Sequence, residues 1–446
     1  MRARLALLAV AGAVAFVVGA LVARSGPPPP ALAPGAAQPR GGADPLAWSP
    51  DRSDDYAARA ADGLAHVLYA KSPGGMVASA RRTAHWRPLI ERVATAARLD
   101  PDTLEAIVLL ESAGRPDAQA SPSLEGAVGL TQILAETGRD LLGMHIDVTK
   151  SARLTRRIAR ADARGRARRA GRLRAARARV DQRFDPAKAL AATARYLTIA
   201  RARLRRDDLA VASYHMGIGN LREALSLYGA PAGVPYAQLY FDSTPGRHEA
   251  SQRFLTRLGD DSSTYLWRVE AARHVMQTFR DDPSALAHEA QLQTARGSAE
   301  LVLHPPDDTK IYGSVGGGDL VALPRAYLLA HGVAPAAGSQ GLRREALATL
   351  AYVGGQVRHL SGARAPLRVV RTFVPATAGY DVQATGYAFD VARTYASHAQ
   401  ALAFQFMLDR LTALNLIAWE RRADVIHVTV AHAARELEKP MGVHPT

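Results

Sequence analysis

The sequence predicts a multidomain protein in which a mainly α domain is followed by a smaller α+β domain. Three observations lead to that class. The chain has 446 residues, which at about 100–200 residues per domain allows two to four domains that each bury a core. From about Asp54 to Pro283, Ala, Leu and Arg recur at helical spacing and strand signals are few. Beyond residue 310 the pattern changes. Leu367–Phe373 and Val425–Val430 read as strands. Ala396–Leu416 reads as an amphipathic helix with Phe404, Met407, Leu408, Leu411 and Leu414 on one stripe.

Taken in order, the chain divides as follows. Residues 1–24 carry Arg2 and Arg4 and then an uncharged run, Leu5–Ala23, so they read as a signal peptide or an N-terminal membrane anchor. Residues 25–53 are rich in Pro, Ala and Gly and read as a linker. Residues 54–285 form the helical domain, 286–310 a second linker, and 311–446 the α+β domain. Helices are expected at Trp86–Ala97, Asp102–Ser112, Leu190–Arg203, Leu209–His215, Leu221–Tyr228 and Ser263–Phe279. The expected location is outside the cytoplasm, in the periplasm or cell envelope, with attachment to the inner membrane if residues 1–24 are retained.

A hydrophobic content of 48% against 22% charged residues describes a globular protein, not a disordered one. There is no Cys, which excludes disulfides, Cys-based zinc sites and a thiol nucleophile. The formal charge of +15 favours anionic partners, and export argues against nucleic acid among them. The charge is local: residues 151–180 hold twelve Arg against one acid, Asp162, so they carry +11 and leave +4 for the rest. That segment reads as a solvated helical insertion able to touch anionic wall polymer or lipid headgroups. Gly316-Gly317-Gly318 lacks a following Lys-Ser/Thr and reads as a turn, and no Ser sits in a nucleophile elbow.

Asp100-Pro101-Asp102 is a helix start, with Asp as N-cap and Pro at the first helical position. Leu104, Ile107 and Val108 form the apolar stripe, and the next position on it is Glu111, near the helix end marked by Gly114. Burial and the C-terminal dipole both raise a carboxyl pKa, and a carboxyl held protonated near neutrality can act as a general acid. A Glu reaching solvent at a helix end is the other reading of the same spacing. Glu125 is similarly either a second acid or a solvated loop residue.

Around Glu111-Ser112 stand Gly126-Ala127-Val128-Gly129-Leu130-Thr131-Gln132-Ile133, Arg183-Phe184-Asp185-Pro186, Ala212-Ser213-Tyr214-His215-Met216-Gly217-Ile218-Gly219-Asn220 and Thr264-Tyr265. In order and spacing these segments resemble the soluble lytic transglycosylase domain, a relative of goose-type lysozyme, over about Arg82 to Phe279. The resemblance implies a lysozyme-like fold and a peptidoglycan substrate. Glu111 would be the acid/base that cleaves between N-acetylmuramic acid and N-acetylglucosamine and leaves a 1,6-anhydro end. Ser112, Gly129, Gln132, Tyr214, His215 and Asn220 would be the substrate-binding positions. No cofactor is implied for this domain. Thr131 stands where Met is usual, and His215 where Asn is common.

Near the C-terminus, Gln383-Ala384-Thr385-Gly386-Tyr387-Ala388-Phe389-Asp390-Val391 precedes Asp424-Val425-Ile426-His427-Val428. This pattern resembles the zinc D-Ala-D-Ala carboxypeptidases and related murein peptidases. Asp390 and His427 match two metal ligands, Gln383 stands at the first His ligand, and Asp424 stands where a catalytic Glu is usual. Zinc prefers three strong ligands, and a neutral amide is a poor one. The domain therefore reads as degenerate, binding or positioning stem peptide, with a weak zinc site at Asp390, His427 and Gln383 or a zinc murein peptidase as alternatives. For the whole chain the alternative to a lytic transglycosylase is a non-catalytic cell-wall binding or scaffold protein.

Overall fold

The computed structural model describes residues 44–259, 261–305, 320–374 and 381–443. The segment expected as signal or anchor, most of the first linker and the Gly316–Gly318 turn lie outside these residues. Among the described residues no helix is long and apolar enough to cross a membrane. The chain is mostly helical, with one small mixed sheet of five strands in its C-terminal part. Two compact units are present. One contains Val67–Tyr236 and Leu258–Ala290; the other contains Ala237–Arg257, Gln291–Thr446 and the segment ending at His66.

The first unit is built around the helix Pro101–Ser112, whose residues from Leu104 to Ser112 are all buried. The Asp100 carboxylate accepts hydrogen bonds from the amides of Asp102 and Thr103 and starts it, with Pro101 in the first turn. Its end falls one residue before the Gly expected to stop it: Ala113 itself takes the left-handed conformation, φ 53°. Arg87–Ala97, Tyr265–Asp281 and Met76–Ala84 pack on this helix. Ile90, Ala94, Leu104, Val108, Leu130 and Leu190 form its shared apolar cluster. Pro186–Leu204, capped by Asp185, packs between Arg87–Ala97 and Asp207–Met216.

The Arg-rich insertion departs from expectation. It is a hairpin of two helices, Val148–Asp162 and Ala167–Val180, with its own small core of Ile158, Ala161, Ala170 and Leu173. Arg177 is buried in it, stacked 3.6 Å over the Phe184 ring and paired with Asp117. Ser151 Oγ donates to Asp181 at 2.9 Å. The segment is thus partly docked, because part-exposed Asp117 and the buried Phe184 ring, both outside the hairpin, engage an arginine that composition alone assigns to solvent.

The second unit carries the sheet. Its strands are β1 Val333–Pro335, β2 Leu367–Arg371, β3 Ala388–Ala392, β4 Ile417–Arg421 and β5 Val425–Val430, in the order β1-β2-β3-β5-β4. β1 and β2 are parallel and the other pairings antiparallel. Every residue of the central strand β3 is buried, and Asp390 lies directly opposite His427 of β5. The helices Arg344–Ser361 and His398–Ala413 pack on each other beside it. Ser53–Gly63, expected in the helical domain, packs on His398–Ala413 in this unit. Tyr56 and Ala60 are its buried face, and Arg52 and Arg59 pair with Glu436 at 2.8 and 2.5 Å. The stretch expected as the second linker holds a helix, Ser298–Leu303, packed on β4 and β5.

Candidate active site

Three helix ends converge in the first unit. Glu111 lies one residue from the end of Pro101–Ser112, Tyr214 and His215 close Asp207–Met216, and Tyr265 opens Tyr265–Asp281. The last helix packs against both of the others.

Glu111 is 7% exposed. Tyr265 donates its hydroxyl to Glu111 Oε1 at 2.7 Å, and Oε2 has no hydrogen-bond partner among the described residues. Burial pushes the Glu111 carboxyl up to about 7, against the opposing pull of the Tyr265 hydrogen bond and the Arg268 charge. Arg268 is held by Asp261 at 2.6 Å and by Thr264 Oγ1 at 2.8 Å. A protonated carboxyl with one oxygen fixed and the other unengaged can deliver a proton and later take one back.

The Tyr265 ring is stacked near two others. Its centroid lies 6.1 Å from Tyr214 at an interplanar angle of 20°, and 5.3 Å from His215 at 26°. Tyr214 donates to the Thr131 carbonyl at 2.7 Å and its hydroxyl lies 3.1 Å from Thr193 Oγ1. That bond ties the third motif to the second. His215 Nδ1 is 2.7 Å from Ser262 Oγ.

Gly129 and Gln132 shape the loop beneath Tyr214. Gly129 has φ +84°, and a Cβ there would overlap the Arg183 carbonyl oxygen, so glycine is required on both counts. Gln132, with φ 51°, turns its Nε2 onto the carbonyls of Gly129 at 2.9 Å and Ala118 at 3.2 Å. Its amide nitrogen therefore holds the loop. Ser112 is fully buried and donates to the Val108 carbonyl, within its own helix. Asn220 is exposed and donates to the Met216 carbonyl across the Gly217 break. Glu125 is an exposed loop residue paired with Arg139 at 3.0 Å.

Arg183 underlies this loop. Fully buried, it pairs with buried Asp181 at 2.9 Å and donates to the carbonyls of Leu124, Gly126 and Ile133 at 2.7, 3.0 and 3.2 Å. Sequence reading placed Arg183 and Tyr265 in family-like segments but gave neither a role, and Arg268 went unnoticed. Arg268 follows Tyr265 by three residues, so helical spacing puts both on one face and was the available signal.

In the second unit, Gln383, Asp390 and His427 are all buried. His427 Nδ1 is 2.6 Å from Asp390 Oδ1, and its Nε2 is 3.0 Å from Glu300 Oε1. Burial opposes the charged ring, but the hydrogen bonds to Asp390 and Glu300 prevail and raise the His427 pKa. Gln383 Oε1 faces Arg371 at 3.4 Å, while its buried Nε2 has no hydrogen-bond partner among the described residues. Arg371 also lies 3.7 Å from Asp390. Asp424 is exposed. Glu300, in the supposed linker, is the carboxylate that reaches His427 instead.

This set does not fit zinc. A metal-bound imidazole needs a free lone pair, whereas both ring nitrogens here meet carboxylates, and the Gln383 oxygen meets a guanidinium. Among the described residues no group of three or more His, Cys, Asp or Glu could hold a metal ion. No family model matches the sequence, and no curated protein matches it.

Proposed function

We propose that this protein is an exported peptidoglycan lytic transglycosylase with Glu111 as its acid/base. The observation that carries this reading is the buried Glu111 carboxyl, hydrogen-bonded by Tyr265 and raised to about 7, at the meeting point of the sequence segments that resemble that family. In the reaction, Glu111 Oε2 gives its proton to the glycosidic oxygen between N-acetylmuramic acid and N-acetylglucosamine. The C1–O4 bond breaks, and the leaving sugar departs with a 4-hydroxyl. The C6 hydroxyl of the muramic acid residue then attacks its own C1, and its proton passes to the Glu111 carboxylate. No water is consumed, so one carboxyl serves both steps where ordinary glycosidases use two. Arg268 favours the transient carboxylate, and Tyr265 fixes the oxygen that does not transfer the proton.

The sheet unit, in this reading, binds or positions stem peptide. Its closed Asp390–His427–Glu300 arrangement supports a non-hydrolytic role and gives no support to a zinc peptidase.

The test is digestion of purified murein followed by mass spectrometry. Anhydro-muropeptides from the native protein and none from Glu111→Gln are expected. Reducing-end products would mean a lysozyme. Murein binding without any product would mean the cell-wall scaffold.

A further inference from the structure

The hairpin 148–180 divides its twelve arginines into two populations. Arg174 and Arg177 are structural: they pair with Asp117, and Arg174 also with Asp162. The other ten are exposed, and none has an acidic partner among the described residues. They are not scattered. On Val148–Asp162, Arg153, Arg156, Arg157 and Arg160 follow i, i+3, i+4, i+7 and form one stripe opposite the buried Ser151, Ile158 and Ala161. On Ala167–Val180, Arg168, Arg172 and Arg179 form a second stripe.

Along the first stripe neighbouring guanidinium groups fall three or four residues apart, roughly one helical turn of 5.4 Å, and on the second Arg168 and Arg172 are one turn apart with Arg179 about two turns further on. Like charges this close repel one another, and helix formation here gains nothing from them. A bound polyanion would remove that repulsion. The side chains between the arginines are mostly Ala, and the hairpin shows no exposed large apolar residue. A helix that lies in a membrane interface inserts such residues, so the surface lacks what would anchor it in lipid. It also has no exposed aromatic on which nucleobases could stack. What remains is a rigid line of planar, bidentate cations, suited to oxygen pairs repeated along a linear backbone.

We propose that the exposed arginine stripes of this hairpin bind a linear polymer of backbone phosphates that lacks nucleobases, one that carries its charge in the backbone and not on side branches. The hairpin's own core and its buried Arg177 keep the stripes rigid, so that binding orders little of the protein. This interaction does not depend on the glycosidic chemistry, and its failure would leave that reading standing.

The experiment is fluorescence anisotropy of the full chain with labelled linear inorganic polyphosphate as probe, run from low to physiological salt. Binding that weakens steeply with salt is expected. The variant with Arg153, Arg156, Arg157 and Arg160 all changed to Gln should bind at least tenfold more weakly, with a shallower salt slope. Its circular dichroism and its murein activity should stay at the native level. Absence of binding at low salt, or native affinity in the fourfold variant, would overturn the proposal. Preference for anionic phospholipid vesicles over polyphosphate would overturn it in favour of a membrane surface. Preference for duplex DNA would overturn it in favour of nucleic acid.

Discussion

Tyr265 donates to Glu111 Oε1 at 2.7 Å from the first position of its helix, so two helix ends packed together hold the acid and its hydrogen-bond donor in register. The bond favours the carboxylate, while burial favours the acid and prevails. Activity should therefore require protonated Glu111 and fall as pH rises through about 7. Tyr265→Phe removes a pull toward the charged form. It should shift the alkaline limb to higher pH while lowering the maximal rate by about tenfold, the worth of one hydrogen bond to a charged group. Rate against pH on soluble glycan strands checks both, and a limb that stays in place or moves down would count against this pairing.

The same burial makes Glu111 a cost to folding. Its folded pKa lies above its ordinary value of 4.5, so the folded state holds a proton that the unfolded state has released between pH 4.5 and about 7. The proton-linked contribution is favourable below that window and is lost as pH rises through it. Glu111→Gln, which cannot ionise, should become progressively more stable relative to the native chain, gaining up to about 3 kcal/mol from pH 4.5 to pH 8. Urea titrations at several pH values measure this, and a pH-independent difference would refute it.

Much of the first unit's frame was legible because local rules and tertiary packing agree there. Asp100 caps the helix, Leu104, Ile107 and Val108 are buried, and Glu111 lies on the same face. Val425–Val430 is a strand as its alternation implies. The losses occur where a partner lies far away in sequence. Arg177 is buried because Asp117 and Phe184 receive it, which the Arg/Ala composition of its helix does not encode. Glu300 lies in a stretch with no strong pattern, yet it meets His427 across the sheet unit. Gln132 is a local case: from a left-handed backbone its amide nitrogen bonds the nearby carbonyls of Gly129 and Ala118, a loop-holding contact that its motif position does not specify.

Arg183 should be the least replaceable side chain under the Gly129–Gln132 loop. Truncation to Met would leave Asp181 charged in a buried place and three carbonyls without their donor. Breaking a buried pair in this way costs about 3–5 kcal/mol. Arg183→Lys restores the charge but not the fork, so it should recover stability only in part. Chemical denaturation of both variants checks the order native, Lys, Met. Equal stability of the Lys variant and the native chain would show that charge alone, not the branched geometry, supports the loop.

In the sheet unit, His427 lies between two carboxylates and its folded pKa is raised. For a histidine the sign is opposite to that of Glu111. The stabilisation is complete below the unfolded value of about 6.5 and is lost as pH climbs through the raised folded value. Asp390→Asn should weaken the unit by about 3–5 kcal/mol under mildly acidic conditions, because a buried ion pair loses one member. It should also flatten the loss of stability on the alkaline side, since less of the proton affinity remains to be lost. Denaturation of the full chain followed between pH 5 and 9, with the His427 ring observed by NMR, separates the two effects. The same samples test the metal question: zinc or a chelator should leave the unfolding midpoint unchanged, because each imidazole nitrogen already faces a carboxylate, Nδ1 that of Asp390 and Nε2 that of Glu300. A rise in the midpoint on adding zinc that disappears in His427→Ala would show that the site is a ligand set after all.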